Sequence, residues 1–141
     1  MALADLIVGA WRLVSSVDIA ADGTRTDSWG PTPFGCCMFD AEGNFTQMML
    51  RSDLPRVPSR PATTADEARL IVLGSLAMYG TYTVDEAGST LDVHFLASTF
   101  ANFNGTNGKR LVTMTSPDEL RIANAGRAGG GRGESVWRRV A

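Results

Sequence analysis

The chain carries one histidine, His94, inside the stretch LDVHFLASTF at residues 91–100. An imidazole with an unperturbed pKa of about 6.5 can take and give a proton near neutrality, so His94 is the natural candidate for general acid–base work. Strand alternation puts Asp92, His94, Leu96 and Ser98 on one face and Leu91, Val93, Phe95 and Ala97 on the other. If the apolar face points inward, His94 is solvated; if the mixed face lines a ligand cavity, His94 reaches a substrate. Periodicity alone favours the first orientation. The phenols of Tyr79 and Tyr82 and the amide of Asn102 are suited to hydrogen-bonding a developing enolate oxygen, although a strand tyrosine also serves as plain packing with its hydroxyl at the rim. Arg51 and Arg110 have the chemistry to hold a carboxylate, phenolate or enolate oxygen, although strand-end arginines are usually solvated. Phe39, Met49 and Phe103 are expected to give such a site an apolar, adaptable wall, with Ser98 as a further substrate-binding candidate.

Other chemistries lack their residues. One histidine and no acidic cluster at ligand spacing leave too few groups for a metal. There is no G-x-S-x-G elbow, no P-loop and no G-x-G-x-x-G between a strand and a helix, so no cofactor is expected. RAGGGRG at 127–133 opens a strand and is read as a connection whose amides, with Arg127 or Arg132, could at most meet an anion. The net charge of −2 is scattered, which gives no footprint for nucleic acid or an anionic membrane. No apolar run approaches the roughly 20 residues that span a bilayer, and the first residues lack a basic leader pattern, so a cytoplasmic location is expected. Cys36 and Cys37 are adjacent, should face opposite ways and cannot bridge without strain.

The elements that must position these groups are short strands set off by turns. GAWRLVSSVDI (9–19) leads to an Asp22-Gly23 turn, and residues 36–51 read as strand, turn, strand. Residues 52–64 carry three prolines and read as a loop of lid size. A helix is expected over about 64–79, with Thr64 and Glu67 as a capping box and Gly80 as its stop. From Leu70 to Met78 it is apolar nearly all round, so it should be buried, covering something or meeting a second copy in a homodimer. Further strands follow to the end. About eight short strands and one helix, without a βαβ rhythm, indicate a mainly β, antiparallel barrel forming a single domain over 1–141.

Gly9-Ala10-Trp11 at the start of the first strand and VWRRV closing the last resemble the lipocalin superfamily, in which a G-x-W seals the barrel floor and a terminal basic residue packs over the indole. Arg139 or Arg138 would supply that residue. The interior is similar to a bacterial and fungal lipocalin-like domain family in Pro33–Phe39, Gly43–Arg51, Tyr79–Tyr82 and His94, Ser98 and Asn102. Val93 stands where members often carry a second histidine, and Phe103 where they often carry Trp. The resemblance implies a lipocalin-like barrel around a small-molecule cavity, and its recurring histidine tips His94 toward the inside. The expected function is cofactor-free proton transfer (isomerisation, cyclisation, dehydration or a lyase step) on an apolar oxygenated or aromatic molecule. His94 would be the acid–base group, with Tyr79, Tyr82, Asn102 and an arginine placing an oxygen. A non-catalytic carrier of a hydrophobic ligand and a module with a filled core are the alternatives.

Overall fold

A computed structural model describes residues 1–124 and 130–140. A short helix, α1 (Leu3–Leu6), precedes β1 (Gly9–Ile19), β2 (Arg25–Asp27), β3 (Phe34–Phe39) and β4 (Asn44–Leu50). Helix α2 (Ala65–Leu73) leads straight into β5 (Ser75–Asp85), followed by β6 (Thr90–Ser98), β7 (Asn107–Ser116), β8 (Glu119–Asn124) and β9 (Arg132–Arg139). The sheet runs β1-β3-β4-β5-β6-β7-β8-β9, all antiparallel, and closes because β9 pairs back onto β1. It is therefore a closed eight-stranded barrel, with β2 as an extra strand on the far end of β1. Closure removes the unpaired edges an open sheet would expose.

The long first strand makes this possible. Its beginning pairs with β3 (Gly9↔Phe39 to Arg12↔Cys36), while Trp11 to Ile19 pair with β9. A bulge between Leu13 and Ser15 bends it. The extra residue also shifts the alternation: Trp11 and Leu13 face the core before it, and Ser16 and Asp18 face the interior after it.

The floor is sealed by fully buried Trp11, Trp137, Ile7, Leu91, Leu120 and Cys37. The Arg139 guanidinium lies 4.3 Å from the Trp11 ring centre and donates to the carbonyls of Val8 (3.0 Å), Pro117 (3.0 Å) and Leu6. Of the two arginines, then, Arg139 is the one that stacks. Gly9 has φ +137°, and a Cβ there would stand 2.7 Å from Arg139 Nη1, so only glycine fits beneath the cation. The Trp11 indole donates to Ile7 O at 2.9 Å, so this buried N–H is satisfied.

The helix differs from expectation in length and burial. The Thr64–Glu67 capping box is present, but α2 ends at Leu73 with Gly74 as its C-cap, and residues 75–85 are a strand. Ser75 to Tyr79 read as the end of the helix, yet Met78, Gly80 and Tyr82 fill alternate inward positions between β4 and β6. Tertiary pairing outweighs local propensity there. Gly80 is no helix stop: it sits at a bulge where any Cβ would collide with the His94 carbonyl oxygen. No residue of α2 is buried, and Leu70, Val72 and Leu73 are 57%, 72% and 63% exposed. It rides on the rim instead of plugging the barrel, and its apolar side is open, where the expected homodimer would have to form.

Candidate functional site

Above the floor the barrel opens into a cavity of about 300 Å3, the small end of the range for small-molecule sites. One wall is apolar. Met49 and Met78 face in from β4 and β5, Leu76 stands at the start of β5, and Trp29, Leu73 and Phe103 close in from the rim. The other wall is polar and built in rows across β7, β8, β9 and β1. Val112, Ile122, Ser135 and Ser16 are cross-strand partners in the lower row. One pair higher, Arg110, Asn124, Gly133 and Asp18 form the upper row, in which Gly133 leaves a gap.

Hydrogen bonds decide what these groups offer. Ser135 Oγ accepts from the Trp137 indole (2.8 Å) and donates weakly to Ile122 O (3.4 Å), so the polar wall is anchored in the floor. Asn124 Oδ1 accepts from Gly133 N (2.8 Å), which leaves the amide's N–H donors for the cavity. The Arg110 guanidinium lies 5.6 Å from the Phe95 ring centre, and Phe95 stacks on Phe103 (5.5 Å). Gln47 faces in from β4, its amide near Met49 sulfur at 3.4 Å.

Three of the residues expected from the sequence meet at this cavity: Met49, Phe103 and Arg110. The others do not. His94 is on the outer face of β6, because Leu91, Val93 and Phe95 are the buried alternation, and this corrects the inward placement. Its Nδ1 donates to Asn107 Oδ1 at 2.7 Å, and an Asp92–Lys109 ion pair (3.4 Å) shares that surface. The large side chains at 91, 93 and 95 gain more from burial than an imidazole, which loses hydration there. Tyr79 is outside as well, 53% exposed.

Tyr82 faces in but belongs to the floor: its hydroxyl donates to Asp40 O at 2.6 Å, its ring meets Phe39 edge-on, and burial raises its pKa. Phe39 is thereby a floor residue too. Asn102 is exposed on a one-turn 3-10 helix, Ala101–Phe103. Ser98 is committed to the same connection, its Oγ accepting from Phe100 N (3.0 Å) and its N–H donating to Asn104 Oδ1 (2.8 Å). Arg51 is a rim clamp. It makes a bidentate pair with Asp53 (2.8 and 2.9 Å), its guanidinium lies against Gly30, and its N–H donates to Gly74 O (2.8 Å). Arg132 pairs with Glu134 on β9, and Arg127 lies outside the described residues.

Ser16, Asp18, Asn124 and Ser135 were missed by sequence reasoning. The only signal for Ser16 and Asp18 was polarity at even positions of β1 after odd apolar ones, which a bulge explains. Among the described residues no group of three or more His, Cys, Asp or Glu could hold a metal, and no helix is long and apolar enough to cross a membrane.

A family model described as a lipocalin-like domain matches residues 8–140. Among solved structures the chain is similar to a de novo designed fluorescence-activating β-barrel, at 12% identity over 99% of both chains with a TM-score of 0.49. It is likewise similar to a redesigned β-barrel bound to DFHBI, at 16% identity over 99% of this chain and 100% of that one, with a TM-score of 0.48. No curated protein matches the chain.

Proposed function

The chain belongs to the lipocalin-like domain family, and from that premise we propose that it binds a compact, largely apolar small molecule, without itself transforming it, in the cavity beneath Trp29, Leu73 and Phe103. The observation that carries this is the division of the interior: a floor of fully buried side chains below, and above it a cavity with one thioether and aromatic wall and one hydrogen-bonding wall. The apolar wall gives affinity through removal of surface from water, and the polar wall fixes orientation. The imidazole on which the isomerase, cyclase or lyase reading relied is on the other side of the sheet, and this supports reversible binding.

Calorimetric titration with 2-naphthol tests it. Wild-type protein and His94→Ala should bind alike, within about twofold. Leu76→Trp, which fills the cavity from the start of β5, should abolish binding while far-UV circular dichroism stays unchanged. Loss of binding in His94→Ala with Leu76→Trp unaffected would contradict the proposal.

A further inference from the structure

Resting on that reading, we infer that the cavity selects a flat ligand of about two fused rings with an acidic oxygen at one end and a hydroxyl or amino donor at the other. The argument starts from the upper row of the polar wall. Arg110 and Asp18, opposite in charge, occupy its two ends, with Asn124 and the side-chain-free Gly133 between them. Three strand spacings separate the backbones of Arg110 and Asp18, roughly 14 Å. The two side chains also leave the row at different places. Arg110 turns along its own strand, so that a Cβ on Gly108 would be 3.0 Å from its Nη1, and it lies against the Phe95 ring, which stacks on Phe103. Asp18 stands on β1, where Ser28 N donates to Ser16 O and ties down the loop that carries Trp29.

The mouth therefore has a cationic pole under Phe103 and an anionic pole beside Trp29. Each pole also interacts with other groups of the protein. A molecule whose acid and donor are on neighbouring atoms reaches one pole only. A molecule with these groups at opposite ends of a rigid edge meets both, with the Asn124 amide donating beside the acid. The gap at Gly133 admits the ring edge, and the faces of the rings rest on Met49, Met78 and Leu76. A planar guanidinium suits a carboxylate or phenolate, where two parallel N–H donors meet two lone pairs.

Calorimetry with four probes tests this: 6-hydroxy-2-naphthoate, 2-naphthoate, 2-naphthol and 3-hydroxy-2-naphthoate. The first should bind at least tenfold more tightly than 2-naphthol and several-fold more tightly than 2-naphthoate and the 3-hydroxy isomer. Arg110→Gln should erase the advantage of the acids and leave 2-naphthol within threefold. Asp18→Asn should erase the preference for the 6-hydroxyl alone. Retained 2-naphthol binding in each variant shows that the barrel is intact. If 2-naphthol binds wild-type protein as tightly as 6-hydroxy-2-naphthoate, or if Arg110→Gln leaves the ranking unchanged, the inference is overturned while cavity binding survives. If none of the four binds, cavity binding itself falls.

Discussion

Arg139 ties the floor of the barrel together. It covers the Trp11 ring and satisfies three backbone carbonyls, two of them in the segment that leads from α1 to β1. Arg139→Gln should lose the cation–π contact and most of these charge-assisted bonds, about 2–3 kcal/mol for a partly exposed group. That corresponds to a fall in Tm of roughly 6–12 °C, readable by calorimetric scanning. A second consequence concerns alkali. Burial pushes the Cys37 thiol well above its ordinary value of 9.0 and raises the Tyr82 phenol above 10.0. The folded chain thus keeps two protons that the unfolded chain releases. The stability this contributes is complete below pH 9 and is lost as pH rises beyond it. The urea midpoint should therefore fall between pH 8 and pH 10.5, and Cys37→Ala should flatten the first part of that decline. An equal slope in the variant would show that the thiol is not its source.

The mouth is organised at the scale of elements. Arg51 links the end of β4 to the C-cap of α2 through its N–H, to the loop carrying Trp29 through contact with Gly30, and to its own loop through Asp53. Gly74 is packed so closely by Leu54 and Arg51 that a Cβ would come within 3.0 Å of both. Arg51→Ala should loosen the rim without opening the barrel. Amide exchange should speed up in 65–74 and around Trp29, 2-naphthol should dissociate several-fold faster, and Tm should move by less than about 3 °C. Slower dissociation, or exchange changes centred on β7–β9, would contradict the clamp. The elements themselves were largely readable: Asp22-Gly23, the Thr64–Glu67 box and the alternation at 91–97 each identify local structure directly. What misled was the run from Leu70 to Met78, whose apolar composition suits a buried helix and an inward-facing strand equally. Only pairing with β4 and β6 separates them, and pairing is not written in local sequence. The inward polar row was hidden for a related reason, since the β1 bulge inverts alternation with no glycine or proline to announce it.

For the whole molecule, the central feature is a barrel whose inside changes character along its axis. About eight short strands without a βαβ rhythm were enough to indicate an antiparallel barrel, and the resemblance at Gly9 and Trp11 pointed to its floor. The orientation of His94 was decided by the whole instead. A closed sheet has one inside, and filling it with Leu91, Val93 and Phe95 sends the imidazole out. The binding site proposed for the upper barrel rests on the same division, and the six methionines report on it without mutation. Met49 and Met78 line the cavity, Met114 packs lower in the core, and Met38 and Met48 are exposed on the outer face. We would label the methionine methyl groups with carbon-13 and follow their NMR signals as 2-naphthol is added. Shifts confined to Met49 and Met78, with Met48 unmoved beside its neighbour, are the predicted result. Saturable shifts at Met38 or Met48 with Met49 and Met78 unchanged would place the ligand on the outer surface and contradict the account.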